Sequence, residues 1–169
     1  GKSTLMYRLA SAAAGQVITI EDPVEIVEPR FLQLQTNPMI GQDYDELIRL
    51  SLRHRPELLL IGEIRNKETA KAAIRAALTG HRVFATIHAR GLTETIARLQ
   101  ELTEEAAVID QCLQGIIYQR LLPDLHGVPH ALMAYTFYEP HKSSMTWDQA
   151  LTRIREKEQI THEVFDKEK

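Results

Sequence analysis

The chain has 169 residues, of which 44% are hydrophobic and 25% are charged, which favours one ordinary globular core over two full domains. A net charge of −3 gives no indication of a nucleic-acid-binding surface. The single cysteine, Cys112, excludes an internal disulfide and a multi-cysteine zinc cluster, and it fits a reducing compartment.

The first four residues, Gly1-Lys2-Ser3-Thr4, match the end of the phosphate-binding motif G-x-x-x-x-G-K-[ST]. In such a loop, backbone N–H groups wrap a polyphosphate, a lysine reaches the β and γ phosphates and a hydroxyl holds Mg²⁺. Lys2 would supply the charge and Ser3 the hydroxyl, and residues 4–10 predict a helix whose N-terminus favours anions. Taken alone, the tetrapeptide is equally compatible with a flexible basic terminus.

Three short apolar runs predict strands that are buried on both faces of a mainly parallel sheet, at residues 17–20, 58–61 and 83–87. Between the last two runs, apolar residues recur at helical spacing from Ala70 to Leu78. Asn66 is the expected N-cap of this helix and Gly80 its stop, which completes a β-α-β crossover.

A further helix is predicted from Asp43, with Glu46 as its capping-box partner, to about Arg53, because Pro56 blocks its continuation. The later part of the chain predicts helices at residues 92–99, 104–118 and 146–158 and a strand at 131–138. The charged last residues are expected to fray.

Three carboxylates directly follow the first predicted strand, in the segment Glu21-Asp22-Pro23-Val24-Glu25. Open α/β sheets bind ligands at the carboxyl ends of their strands. Carboxylates at this edge can hold a metal-bound water or take its proton during hydrolysis. The alternative is a solvated acidic turn without a chemical role.

The second and third strands also end in polar residues. Gly62 and Glu63 follow the run at 58–61, in the form of a Walker B element that completes the Mg²⁺ shell through water. His81 and His88 bracket the third strand, where they could sense a γ-phosphate or pass a signal to a neighbouring subunit. Seven residues of strand would separate them by roughly 23 Å, which disfavours a shared metal. The alternative is a pair of ordinary surface histidines.

Together and in this order, these motifs resemble the family of secretion and type IV pilus assembly ATPases. The resemblance extends to about residue 122. It rests on Gly1-Lys2-Ser3-Thr4 as the end of Walker A, Glu21 to Glu25 as the Asp box, Ile61-Gly62-Glu63-Ile64-Arg65 as Walker B, residues 79–89 as the His box, and Gln119-Arg120-Leu121.

The resemblance implies an α/β fold, a RecA-like P-loop NTPase core with a mainly parallel sheet, followed by small C-terminal helices. The core would cover residues 1–122, without its first strand and the first half of the P-loop. An extension made of a strand and a helix would cover residues 123–169.

The resemblance also implies ATP and Mg²⁺ as cofactors, and it assigns roles to residues. The nucleotide would be bound by Gly1, Lys2, Ser3 and Thr4, with Ser3 and Glu63 toward the metal. The catalytic carboxylates would be Glu25 as the general base, Glu21 and Glu63. The residues that couple the nucleotide state to motion would be His81, His88, Asp22 and Arg65.

Within the family, the segments at residues 31–35 and 76–81 are most similar to the competence pilus ATPase of Gram-positive bacteria, and residues 122–129 contain no four-cysteine zinc module. The implied machine is a cytoplasmic homo-hexamer at the membrane that acts on a polytopic membrane platform protein, without zinc and without direct DNA binding. A chain without the N-terminal domain and the first half of the P-loop is expected to be inactive by itself.

Two departures from the family pattern stand near Walker B. Arg55 replaces an Asp, which reverses a charge expected near the nucleotide, and Asn66 replaces another Asp. Two other functions remain open: a conjugative or type IV secretion ATPase, and a nucleotide-binding scaffold that does not hydrolyse ATP.

Overall fold

The computed structural model describes residues 1–138 and 142–169. They form two compact units. The parallel-sheet unit comprises Lys2–His88 and Ala97–Cys112, and the antiparallel-sheet unit comprises Gly1, Ala89–Ile96 and Leu113–Lys169. The boundary expected at residue 122 stays a prediction. None of the helices in the described residues has the length and apolar character that crossing a membrane requires.

The parallel-sheet unit is built on four parallel strands in the order β2-β1-β3-β4. The strands are β1 (Val17–Glu21), β2 (Phe31–Gln35), β3 (Leu58–Ile61) and β4 (Arg82–Ala85). The three predicted strands are therefore confirmed, and β2 is an additional edge strand. The chain moves from β1 to one side and later from β3 to the other, so β1 and β3 lie at the switch point where such sheets bind ligands.

Helices accompany these strands. They are α1 (Lys2–Ala10), α2 (Tyr44–Ser51), α3 (Lys67–Leu78), α4 (Leu92–Thr103) and α5 (Ala106–Cys112). In the chain, α1 precedes β1, α2 connects β2 to β3, α3 connects β3 to β4, and α4 and α5 follow β4. Both predicted N-caps are confirmed, because the Asp43 side chain accepts from the Glu46 backbone N–H and Asn66 accepts from that of Thr69. The Glu46 side chain instead pairs with Arg49, so the predicted capping box is only half formed.

The two faces of the sheet bury alternate residues of the same strands. On one face, Ile18 and Ile20 of β1 pack with residues of α2 and α3. On the other, Val17, Leu58 and Leu60 pack around Ala10 at the end of α1. Burial of each large aliphatic side chain contributes about 1.5–3 kcal/mol, so the buried strands fix the edge where they end.

The antiparallel-sheet unit contains β5 (Gly115–Pro123), β6 (Pro129–Phe137), β7 (Ser143–Met145), α6 (Trp147–Glu156) and α7 (His162–Glu168). The prediction of one helix over residues 104–118 is wrong beyond Cys112. Gly115 interrupts the helical pattern, and the β-branched residues that follow pair with β6 along its whole length.

The expectation of a frayed tail is also wrong. Residues 162–168 form α7, and Phe165 packs with Leu122, Leu151 and Ile160 in a third apolar cluster. The ring of Phe165 also lies under the guanidinium of Arg155 at 4.5 Å. One buried aromatic residue therefore anchors a segment whose charge suggested disorder.

Candidate functional site

Polar side chains collect at the carboxyl edge of the parallel sheet, where β1, β3 and β4 end. Glu21 is the last residue of β1, Glu63 follows β3, and His88 follows β4. Parallel pairing in register brings these strand ends to one edge. This is the placement expected from the sequence.

One continuous set of contacts joins four of the predicted motifs at this edge. Lys2 Nζ lies 3.5 Å from His88 Nε2, and this imidazole nitrogen lies 3.2 Å from Glu63 Oε1. Arg65 Nε lies 2.6 Å from Glu63 Oε2, and Arg65 Nη1 lies 3.7 Å from Asp22 Oδ2. These five side chains, from Lys2 to Asp22, are called the edge network below.

His88 has two alternative partners within the edge network. With a proton on Nε2 it donates to Glu63, and without one it accepts from Lys2. A single nitrogen cannot do both. The His88 imidazole can therefore hydrogen-bond either to the lysine of the phosphate motif or to the carboxylate after β3, depending on whether Nε2 carries a proton.

The Glu63 carboxylate is the centre of the edge network. Its side chain is 17% exposed, and each of its two oxygens faces a different cation-capable partner. Its hydrogen bond to Arg65 raises the pKa of the guanidinium. The carboxylate is therefore held in a fixed orientation.

Tyr44 is a site residue that the sequence analysis did not identify. It is the first residue of α2, and its hydroxyl lies 3.1 Å from the position a Cβ would take on Gly62. Burial and then the negative charge of Asp22 raise the pKa of Tyr44 to about 12. A neutral phenol thus stands beside the carboxylates. The signal in the sequence was the position of this tyrosine directly after the N-cap Asp43.

Gly62 permits the close approach of β1 and β3. A Cβ at this position would lie 3.1 Å from the Ile20 carbonyl oxygen and 3.3 Å from the Glu21 Cα. The Gly62 N–H donates to the Ile20 carbonyl at 2.8 Å. The glycine of the Walker B pattern is therefore a packing requirement as well as a motif residue.

Glu21 belongs to a separate buried cluster. Its residue is 9% exposed, and its Oε1 accepts from the Tyr7 hydroxyl and the Thr19 hydroxyl, both at 2.6 Å. Gln33 Nε2 donates to the Tyr7 hydroxyl at 2.7 Å. Burial, with the hydrogen bond to Glu21, raises the pKa of Tyr7. This carboxylate is surrounded by donors of the protein itself.

Other predicted residues stand outside the edge network. Glu25 is exposed and forms no hydrogen bond or ion pair within the described residues. The side chains of Ser3, which is half-buried, and Thr4, which is exposed, also form no hydrogen bond or ion pair within the described residues. Gly1 belongs to the antiparallel-sheet unit, where a Cβ on it would lie 2.5 Å from Gln119 Nε2.

His81 and Arg55 lie at the opposite edge of the parallel sheet. His81 precedes β4, and its Nδ1 lies 3.3 Å from the Thr79 hydroxyl. Arg55 precedes β3 and adopts a left-handed backbone with φ of 49°. The expectation that Arg55 reverses a charge at the nucleotide edge is therefore wrong within this chain, because the residue stands at the other end of its strand.

The donors at the carboxyl edge fit a magnesium nucleotide. The first N–H groups of α1 have no carbonyl partner within the helix, and Lys2 adds a positive charge beside them. Mg²⁺ with a nucleotide usually takes only one or two protein ligands and fills its shell with phosphate and water, and the Ser3 hydroxyl and the Glu63 carboxylate are side chains that could supply such ligands. Among the described residues no group of three or more His, Cys, Asp or Glu could hold a metal ion.

The chain is similar to several known proteins. It is 49% identical over 156 residues to the competence protein ComGA of Streptococcus pneumoniae, which covers 89% of this chain and 49% of the relative. It is 38% identical over 133 residues to the type IV pilus assembly ATPase TfpB of Acinetobacter baylyi, which covers 77% of this chain and 22% of the relative. The chain thus spans half or less of these curated relatives.

The chain is also similar in fold to a solved structure. The crystal structure of the pilus retraction motor PilT with bound ADP is 26% identical, with a TM-score of 0.84, over 99% of this chain and 56% of that chain. The α/β, RecA-like fold is thereby confirmed. The Type II/IV secretion system protein family matches residues 1–162, and the chain is a member of that family.

Proposed function

We propose that this chain is the nucleotide-hydrolysing part of an assembly motor for a competence type IV pilus that takes up DNA, or for a related type II secretion system. The observation that carries the proposal is the edge network, because it joins the phosphate-motif lysine, the Walker B carboxylate, the His box and the Asp box in one set of contacts. The 49% identity to a competence protein favours the pilus over other machines of the family.

Binding of ATP would use Gly1, Lys2, Ser3 and Thr4 at the N-terminus of α1, where the helix dipole and the lysine attract phosphate. A bound Mg²⁺ would neutralise charge on the phosphate oxygens. In this proposal Ser3, on α1, and Glu63, directly after β3, would hold that ion, directly or through water. Arg65 and His88 keep the Glu63 carboxylate oriented before the ion arrives.

Two further carboxylates, Glu25 and Glu21, have different roles in this proposal. Glu25 is exposed in the loop that follows β1 and would take the proton of an attacking water, which is the role of a general base. Glu21 would assist catalysis indirectly. Its Oε1 accepts hydrogen bonds from the Tyr7 and Thr19 hydroxyls, and these bonds fix the end of β1, from which the loop of Glu25 starts.

Coupling to motion would pass through His88, Asp22 and Arg65 at this edge and through His81 at the opposite edge. Phosphoryl transfer usually needs more cations than one site of this kind holds, and a neighbouring subunit commonly supplies them. We therefore propose a homo-hexamer that acts on a polytopic membrane platform protein from the cytoplasmic side of the membrane, a proposal that this requirement and the membership of the family support.

The test uses the complete gene product. Lys2→Ala should abolish ATP binding, whereas Glu63→Gln and Glu25→Gln should retain binding and lose about 100-fold in kcat, as expected when a charge or base at phosphoryl transfer is removed. Glu68→Gln, at an exposed position on α3, is the matched control and should hydrolyse normally. Normal hydrolysis by both Glu63→Gln and Glu25→Gln would overturn the assigned roles.

The biological assignment has its own test. The Lys2→Ala allele should abolish DNA uptake in the organism that encodes the protein. Unchanged DNA uptake with lost protein secretion would favour the secretion system. A conjugative motor that translocates DNA should instead show salt-sensitive DNA retention in a filter-binding titration. A scaffold would bind ATP without turnover in the wild-type protein.

A further inference from the structure

The loop that carries Glu25 runs without secondary structure between two parallel strands. Residues 22–30 connect the end of β1 to the start of β2, and Glu21 stands opposite Gln35 in the register of these strands. A parallel connection normally takes a dozen or more residues and a helix. Here nine residues return along β2, so their backbone groups need partners that no helix provides.

Two glutamines of β2 supply these partners. Gln35 Oε1 accepts from the Val24 N–H at 3.1 Å. Gln33 Oε1 accepts from the Glu28 N–H at 2.7 Å, and its Nε2 donates to the Ile26 carbonyl at 2.8 Å. Because one Gln33 amide both accepts from an N–H and donates to a carbonyl, its orientation is fixed.

The spacing of the strand explains why two residues can do this. Gln33 and Gln35 are two positions apart on β2, so both project from the same face. The loop runs back along that face, and its residue 24 therefore meets Gln35 while residues 26 and 28 meet Gln33. These three backbone contacts, between Val24, Ile26, Glu28 and the two glutamines, are called the loop clamp below.

Glu25 lies inside the loop clamp. Its two neighbours in sequence, Val24 and Ile26, are each held by a glutamine, whereas its own carboxylate is exposed. The side chain is thus presented to solvent from a fixed backbone. A general base requires this combination, since it must reach water and must be held in place at the same time.

We propose that Gln33 and Gln35 are positioning residues for Glu25: they hold the backbone on both sides of it and so place its carboxylate at the carboxyl edge of the sheet. This inference rests on the proposed function, in which Glu25 is the base. The edge strand β2, which contains no charged residue, would thus contribute to the reaction through two neutral amides.

The loop clamp is tested first without activity, by hydrogen exchange of the complete gene product. Gln35→Ala should speed exchange of the Val24 amide and Gln33→Ala that of the Glu28 amide, each about 10-fold or more, because a lost hydrogen bond exposes its donor. Gln16→Ala, an exposed glutamine before β1, is the matched control and should leave both amides unchanged. Unchanged exchange in both β2 variants would overturn the proposal.

The positioning role is tested by kinetics on the same variants. Gln33→Ala and Gln35→Ala should lower kcat about 10-fold and leave KM for ATP within about 2-fold, because a small misplacement of a catalytic group slows chemistry more than binding. In single-turnover measurements on the Glu25→Gln background, Gln33→Ala should cause no further loss. An equal further loss there, or a rise in KM alone, would show a merely structural role and overturn the proposal.

The role of Glu25 as base and the role of the two glutamines can be separated by experiment. If Glu25→Gln lowers kcat about 100-fold while both glutamine variants turn over normally, the loop clamp has no positioning role and the proposed function stands. If Glu25→Gln hydrolyses normally, the proposed role of Glu25 fails, and the positioning role fails with it even where exchange responds as expected.

Discussion

Arg65 Nε donates to Glu63 Oε2 at 2.6 Å, and the same guanidinium lies 3.7 Å from the Asp22 carboxylate. Arg65 therefore ties the loop after β1 to the residue after β3. Its side chain is 61% exposed, so the pairing adds little to folding stability, as exposed ion pairs generally do. Its value lies in the orientation of the two carboxylates.

Replacement of Arg65 by alanine should lower kcat for ATP hydrolysis about 10-fold, because Glu63 and Asp22 lose the donor that orients them. The melting temperature should change little. A steady-state ATPase assay and a thermal melt measure the two effects. Arg75→Ala, an exposed arginine on α3, is the control. A large fall in melting temperature with unchanged kcat would contradict this view of Arg65.

Tyr7→Phe should destabilise the protein by about 1–3 kcal/mol, because the Glu21 carboxylate and the Gln33 amide each lose a buried partner. Urea denaturation at neutral pH measures the free energy of unfolding. Tyr118→Phe is the control, since its hydroxyl makes no hydrogen bond within the part of the chain that the structure describes. Equal effects of the two substitutions would show that the buried cluster contributes nothing specific.

Gly62→Ala should cost about 1–3 kcal/mol of stability, the range for a methyl group forced into packed surroundings. The added Cβ would press on the Ile20 carbonyl oxygen and the Tyr44 hydroxyl, each 3.1 Å away. Gly91→Ala is the matched control, because a Cβ there meets nothing within 4 Å. Chemical denaturation of both variants makes the comparison, and a Gly62→Ala variant as stable as wild type would show that β1 and β3 can separate freely.

Alkaline pH should weaken the fold through Tyr44. Its pKa rises from 10.0 to about 12 in the folded chain, so the folded state holds the phenol proton more tightly than the unfolded state. This contribution is complete below pH 10 and is lost as the pH rises through about 12. Tyr44→Phe should therefore flatten the decline of the unfolding free energy over that interval, and Tyr138→Phe, at an exposed tyrosine, should not. Parallel declines in wild type and Tyr44→Phe would contradict the assignment.

The sequence allowed the prediction of those parts of the fold that local chemistry determines. The strands at β1, β3 and β4 are continuous apolar runs, and such runs become buried strands. Asp43 and Asn66 cap helices because their side chains reach the free N–H groups of the first turn. Glu63 and His88 were placed at one edge because parallel strands share it.

What the sequence did not reveal depends on distant partners. The strand β2 alternates leucine and glutamine, and its role becomes visible only when the loop at residues 22–30 lies against it. Residues 115–118 fit a helical pattern and form a strand because β6 pairs with them. Glu21 looked like its exposed neighbours, and only the fold shows that Tyr7 and Thr19 enclose it.

The helix α1 carries Lys2 in its first turn and Tyr7 five residues later, about 7.5 Å along its axis. Tyr7 contacts Gln33, and Gln33 holds the loop of Glu25. A helix is stiff over this length, so its two ends would shift together. In the proposed function, a phosphate that displaces Lys2 would thus also displace Tyr7 and, through Gln33, the loop of Glu25. The coupling would be a rigid-body shift of one helix and would need no ionised side chain in the interior.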